Sequence, residues 1–403
     1  MERSVIDTTP ESVLPPPDPG RAVGASMPEP GDDGALSTTV LPGSWANIVG
    51  ACLVTIAALV VLFVVAASLW PLQRYQSAPG SAEEVSPRLD VAEIDTFEPA
   101  EGVFFVTASG ARITGLQAIM GWIDPVVDVL TCEQRFGDCN PEQQREISLG
   151  AMTTSKQIAE YVAFSTVGMD AELLPGPAQV GSFGSDTCPD DAPPLRACRV
   201  LEVGDTIVAV EGVDTPLLDD LAAALEGREP GELLSLTVTS ADGGAEREVE
   251  VELIAAPDDA ERTIIGFMPR DTRTVEVPAD VNIDTDRIGG PSAGLAFTLA
   301  LIDELTPGEL TGDVRVVATG TIDEEGAVGA IGALVQKADA VRRAGATLFL
   351  VPSGQDEAEI ERAREVAGPD VEIVTVANID EALAALADHG GDPLPEDAAS
   401  PQT

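Results

Sequence analysis

Two short stretches of the chain carry side chains able to do acyl chemistry without a histidine. The first is Ile288-Gly289-Gly290-Pro291-Ser292-Ala293-Gly294, followed by an apolar run from Leu295 to Ile302. Gly-Gly permits a tight turn and Pro291 fixes the backbone entering a helix, so Ser292 is expected at that helix's N-terminus. Unpaired N–H groups there could stabilise an oxyanion. Taken alone, a Gly-Pro-Ser helix start is an ordinary cap. The second stretch follows a strand at Val314 to Val317, which runs into Ala318-Thr319-Gly320-Thr321 and a turn at Asp323 to Gly326. From Val328 the sequence opens a helix to about Arg343, with Leu334, Val335, Ala338 and Val341 on its apolar face and Lys337 at the edge, roughly 60° from the middle of the stripe. An ammonium drawn into an apolar pocket loses hydration, its pKa falls toward neutrality, and a neutral lysine can take the proton of a serine hydroxyl. A lysine at such a rim can equally lay its stem on apolar surface and keep its charge in water.

Composition narrows the alternatives. The 403 residues hold 69 Asp and Glu against 22 Lys and Arg, a formal net charge of −47, and only two of the basic residues are lysines, Lys156 and Lys337. Such an excess of acid argues against nucleic acid held on a basic surface. The single histidine, His389, sits in the polar run Asp388 to Asp392. A Ser-His-Asp triad, a His-ligated zinc or a Cys-His nucleophile would each have to use it. Neither lysine follows a glycine, so no Walker A loop is present in the sequence, and no metal or cofactor is expected.

The elements that would position these residues follow from pattern. Residues 1–46 are rich in Pro, Gly, Ser, Thr and acid and are expected to be a disordered tail. Ile48 to Leu69 is an uncharged apolar run with Trp45 and Trp70 at its ends, which predicts a transmembrane signal-anchor helix over 47–70. A polar linker is expected over 71–97 and a strand-and-helix segment over 98–172, with a strand at Gly102 to Thr107 and a helix at Thr154 to Val167 on which Lys156 is solvated. Residues 173–258 carry Leu201-Glu202-Val203-Gly204-Asp205-Thr206-Ile207 leading to Val210-Glu211-Gly212, a short helix over Leu217 to Leu225, and strands at Leu233 to Thr239 and Glu246 to Leu253 joined at Asp242-Gly243-Gly244. This order resembles a PDZ domain, a small β-sandwich or barrel whose groove takes an extended peptide as an added strand. No clear carboxylate-binding loop is visible, with Ala171 to Pro177 the stretch that could take that place, and a plain spacer remains an alternative.

The Ser292 and Lys337 stretches together resemble the proteolytic domain of Lon-type proteases, peptidase family S16. The serine motif is Gly290 to Gly294, the Thr-Gly turn is Thr319-Gly320, and the lysine helix follows Ile331-Gly332-Ala333. Ala333 replaces the second glycine of the usual turn, and Gly289 stands where many Lon proteases have an acid. The resemblance implies a Lon-type α/β domain over 262–388 with a Ser292-Lys337 dyad, Thr319 contacting the lysine, and a homo-oligomeric ring, a hexamer being one form. The whole order is similar to membrane-anchored PDZ-containing Lon-like proteases: an α+β multidomain chain with a single transmembrane helix, a PDZ-like domain, the proteolytic domain and a disordered tail at 389–403. The implied activity is ATP-independent endoproteolysis of unfolded or exposed polypeptide. The rival is a non-catalytic PDZ receptor or scaffold that uses the Lon-like domain for assembly.

Orientation rests on two signals that disagree. Arg74 after the span slightly favours a cytoplasmic C-terminal side. Cys132 with Cys139 and Cys188 with Cys198 are short-range pairs in loop-like sequence, which suit disulfides in an oxidising compartment, with free thiols as the alternative. With the resemblance added, the expected location is the cell membrane, single-pass, with the catalytic region outside.

Overall fold

A computed structural model describes residues 43–395 apart from 137, 138, 185, 242 and 258. Most of the tails expected at 1–46 and 389–403 lies outside the described residues, as does Asp242 of the expected hairpin turn. The chain divides into two units, Met1–Val60 and Val61–Thr403. The described part of the first is helix, the beginning of α1 (Gly43–Leu69), and within α1 the stretch Asn47–Leu69 is long and apolar enough to cross a membrane. Its large side chains, among them Leu53, Leu59 and Phe63, are exposed, as expected of a helix whose apolar surface faces lipid.

The second unit takes in the end of α1 and continues directly into strand. The stretch expected to be a linker forms β1 (Pro71–Glu84) and β2 (Leu89–Ala92). β1 runs antiparallel to β3 (Phe104–Ser109), and its first half pairs with residues 112–114 and, beyond α2 (Gly115–Ile123), with β4 (Asp128–Thr131). The polar, small-residue sequence hides this strand because helix packing, not β-propensity, selected it. At Gly80 a Cβ would stand 2.3 Å from the Thr107 hydroxyl, so only glycine fits there. The helix expected from Thr154 begins earlier, as α3 (Pro141–Thr166), and Lys156 on it is not simply solvated, because its Nζ donates to the Ile283 carbonyl at 3.1 Å.

β5 (Glu172–Leu174) then opens an inserted module of β6 (Gln179–Ser182), β7 (Thr206–Val210), α4 (Leu218–Ala223), β8 (Leu233–Thr239), β9 (Arg247–Glu252) and β10 (Met268–Arg270). Its antiparallel sheet has the order β9-β8-β7-β6-β10, so the module extends to Arg270, past the expected limit at 258. The Gly204-Asp205 turn is explained by Asp205, whose buried carboxylate accepts the Glu202 N–H and the Arg247 guanidinium. Cys188 and Cys198 are joined within the module, and Cys132 and Cys139 ahead of it.

The insertion closes on itself at its neck. β11 (Thr274–Glu276) pairs antiparallel with β5, Leu173 opposite Val275. At Gly176 the backbones meet so closely that a Cβ would lie 1.9 Å from the Arg273 nitrogen. Arg273 in turn bridges Asp271 at 2.7 Å and Glu324 at 2.8 Å, with only 14% of its side chain exposed. Removing one partner of a mostly buried ion pair strands the other. Arg273→Ala is therefore expected to lower stability by about 1–3 kcal/mol, read as a shifted midpoint in a denaturant titration. An unshifted midpoint would mean that the neck holds without this pair.

After the neck come β12 (Asp280–Ile283), antiparallel to β2, then α5 (Gly294–Leu305), β13 (Val316–Ala318), α6 (Leu334–Arg343), β14 (Leu348–Pro352), α7 (Glu357–Ala367), β15 (Glu372–Val376) and α8 (Ile379–Asp388). The central sheet reads β15-β14-β13-β3-β1, parallel from β15 through β3. Side chains alternate between its faces, as strand geometry demands. Phe105, Ala318, Leu348 and Leu350 join α3, α5 and α8 in one core, whereas Val106, Val317, Phe349 and Val351 join α6 and α7 in the other. Residues 389–395 continue from α8, with the Asp392 N–H donating to the Glu309 carbonyl at 2.9 Å.

Candidate active site

Ser292 sits in the turn before α5 rather than on its first residue, which is Gly294. The turn is tied down on both sides. Gly290, in the left-handed region at φ 98°, donates its N–H to the Ser148 carbonyl of α3 at 2.7 Å, and the Ser155 hydroxyl donates to the Pro291 carbonyl at 3.0 Å. The carbonyl of Ser292 itself accepts the Gly320 N–H at 2.9 Å and the Thr319 hydroxyl at 3.0 Å. Thr319 follows β13 and is held in place by its own N–H, which donates to Leu350 at 3.0 Å. The Thr-Gly step thus fastens the serine turn to the end of the sheet.

Lys337 comes from the first turn of α6. Ala333 caps that helix in the left-handed conformation at φ 61°, a place glycine fills with less strain. The Leu334 N–H at the helix start donates to Glu359 of α7 at 3.2 Å. From this position Lys337 Nζ donates to Ser292 Oγ at 2.8 Å and to Thr319 Oγ1 at 3.0 Å. The residue is only 3% exposed, so the alternative in which its charge reaches water is not the one adopted. Burial disfavours the ammonium and pulls the lysine pKa down to about 8, with the carboxylate of Glu359 opposing the fall. A lysine of that pKa is neutral in a useful fraction at ordinary pH, and its free lone pair then faces the serine hydroxyl.

The three residues singled out in the sequence are therefore brought together. Ser292 and Lys337 open on a cavity of about 730 Å³, bounded by Ser81 and Thr107 of β1 and β3 on one side and by Arg287, Gly289 and Gly290 on another, while Thr319 lies buried behind them. Sequence reasoning missed the supports of this site, Ser148 and Ser155 on α3 and Glu359 on α7. Two serines on one helix face were the only available signal, and α3 was expected to start after Ser148. His389 lies elsewhere, at the end of α8, with Nδ1 2.6 Å from the Ala385 carbonyl and Nε2 3.3 Å from Glu372. Among the described residues no group of three or more His, Cys, Asp or Glu side chains is placed to hold a metal.

A second concavity lies in the inserted module. β10 is an edge strand of its sheet, and a cavity of about 1,020 Å³ runs beside it, lined by Leu218, Leu221 and Leu225 at α4 and by Ile265, Phe267 and Met268. The loop Ile264-Ile265-Gly266-Phe267, with Gly266 at φ 106°, leads into β10 at the groove. Ala171 to Pro177, which the sequence offers for the carboxylate-binding place, forms the neck instead. The loop was overlooked because it follows the last strand assigned to the module.

Comparison with known proteins bears on the unit that holds Ser292 and Lys337. Residues 275–388 match the Lon protease (S16) C-terminal proteolytic domain. That match supports a serine peptidase function. Lon protease from Clostridioides difficile is 37% identical over 94 residues, and Lon protease from Trichlorobacter lovleyi is 37% identical over 114 residues. These alignments take in 23% and 28% of this chain but only 12% and 14% of those proteins, so the chain spans a small part of the length of the relatives it matches. The Lon-type segment as matched starts at the neck, yet its sheet is completed by β1 and β3 and its core by α3, all encoded ahead of the insertion. The PDZ domain of an SdrC-like protein from Listeria monocytogenes aligns with 23% of this chain and 86% of that domain, at 17% identity and a TM-score of 0.19.

Proposed function

We propose that the protein is a membrane-anchored serine endopeptidase that works without ATP on unfolded or exposed polypeptide segments. The observation that carries this is the 2.8 Å contact between a buried Lys337 Nζ and Ser292 Oγ. In this mechanism neutral Lys337 takes the Ser292 proton as the hydroxyl oxygen attacks the peptide carbonyl. It then returns that proton to the leaving amine, and water completes hydrolysis of the acyl-enzyme by the same relay. Thr319 holds the lysine toward Ser292, and backbone N–H groups of the turn between Pro291 and Gly294 receive the oxyanion. α1 is the anchor, the disulfides favour an oxidising external side, and the active form is a homo-oligomer. Purified full-length protein in detergent is expected to degrade an unfolded labelled polypeptide at the same rate with and without ATP and Mg²⁺. An absolute requirement for ATP would refute the proposal, and binding without cleavage under either condition would favour a scaffold.

The groove beside β10 supplies the presentation step. An edge strand facing an apolar helix can accept an extended chain as one more strand. Leu225→Glu is expected to raise KM for a long polypeptide by about tenfold while leaving turnover of a short peptide unchanged, since a charge in an apolar groove opposes binding only of what docks there. An equal KM for the long substrate in both proteins would remove the groove from the mechanism.

A further inference from the structure

The chain has three tryptophans, Trp45, Trp70 and Trp122, and all are exposed, at 79%, 70% and 69%. Trp45 and Trp70 bracket the apolar helix, where indole rings settle among lipid headgroups. Trp122 is far from them in sequence, but the fold brings it back. α2 starts at Gly115, whose N–H donates to the Trp70 carbonyl at 3.1 Å, and Thr114 pairs with Pro71. Trp122 lies about 10 Å along the helix from that contact, at roughly 1.5 Å per residue.

α2 itself, Gly-Leu-Gln-Ala-Ile-Met-Gly-Trp-Ile, carries no charge in a chain of which 23% is charged. A capping box between Thr114 and Gln117 fixes its start, and Ala118 and Gly121 bury its inner side, Gly121 against Val127 and Val129. The helix is thus held by its own contacts. Its outer side presents Met120, Trp122 and Ile123, each more than 60% exposed, within four consecutive positions. Isolated exposed apolar residues are ordinary, but three large ones side by side, with Ile123 between Met120 and Trp122 around the helix, mark an interaction surface.

We propose that Met120, Trp122 and Ile123 form a lipid-docking foot that inserts into the headgroup–acyl boundary of the bilayer crossed by α1, holding the catalytic unit at a fixed height above the membrane. This rests on the membrane-anchored reading of α1. Lipid rather than a second copy is the occupant because α2 is tied at Gly115 to the carbonyl of Trp70, the residue at which the span ends. Insertion of this kind is apolar. With no Lys or Arg on α2 itself, the foot is held by apolar insertion rather than by attraction to anionic lipid, so its docking is insensitive to salt.

The test uses full-length protein in phosphatidylcholine vesicles containing lipid brominated high on its acyl chains. Three variants each keep one tryptophan, the other two being replaced by phenylalanine. Bromine quenching of Trp122 is expected to match that of Trp70 within about a factor of two, and to persist in high salt. Quenching of Trp45 and Trp70 but not Trp122 would overturn the foot and leave the anchor standing. Absence of quenching at all three would overturn the anchor and the foot with it. Quenching of Trp122 that disappears in high salt would overturn apolar docking.

Discussion

Ser292→Ala and Lys337→Met are each expected to lower kcat/KM for peptide-bond hydrolysis by about 10³–10⁶, and the double variant by no more than the worse of the two. The non-additivity follows from the geometry. Ser292 Oγ is a poor nucleophile until its proton has somewhere to go, and among the described residues the titratable nitrogen bonded to it is Lys337 Nζ. Once either member is gone the other has no task, so the second deletion costs nothing further. Lys337→Arg is expected to be as inactive as Lys337→Met, because a guanidinium keeps its proton throughout the accessible pH range. Thr319→Val is a milder case, about 10–100-fold, since it removes the bond that orients the lysine and the hydroxyl's bond to the Ser292 carbonyl, while the Gly320 N–H still holds that carbonyl and the base stays in reach of the serine. Single-turnover cleavage of a fluorogenic peptide, with circular dichroism to verify folding, measures all five. Full activity in Ser292→Ala would end the dyad mechanism whatever the lysine variants did.

What could be read from sequence here were the residues of the candidate site, and what could not was the scaffolding that holds them. Ser292, Thr319 and Lys337 lie in segments whose glycines, proline and apolar periodicity are local signals, and each of the three sits where those signals imply. β1 left no such signal. Its polar residues, with Pro79 and Gly80 among them, have the composition of a linker, and its place in the sheet is set by β3 and α6, which are distant in sequence. The inserted module was legible from its hairpins, but its end was not. The loop at Ile265-Gly266-Phe267 and the edge strand after it acquire meaning only when β10 is seen to pair with β6, nearly ninety positions earlier. The same separation hid Ser155, whose hydroxyl reaches the Pro291 carbonyl across 136 positions of chain. Local periodicity carries no information about contacts of that range.

The second large effect concerns pH, and it runs in opposite directions for the enzyme's stability and for a variant's advantage. Only neutral Lys337 can act as base, so kcat/KM is expected to rise about tenfold per pH unit on the acid side and to level off near the lysine pKa of about 8. The same burial has a thermodynamic consequence. The unfolded chain holds this proton until the ordinary lysine value of 10.5, whereas the folded protein gives it up at about 8. Between these limits the unfolded state binds more protons, so this group's contribution to stability improves as pH rises through the window. Below about pH 8 both states are charged, and keeping the ammonium buried opposes folding by on the order of 3 kcal/mol. Lys337→Met removes that opposition. It also removes the bonds to Ser292 and Thr319, but Thr319 keeps its bond to the Ser292 carbonyl, so the loss is smaller than the gain. The variant is therefore expected to unfold at a higher denaturant midpoint than the parent at neutral pH, with the difference shrinking as pH is raised through 8 toward 10.5. Taking the difference between the two proteins cancels the titration of groups they share. A difference that stays constant across the window would show that Lys337 keeps its ordinary pKa in the folded state, and the buried neutral base would then have to be abandoned.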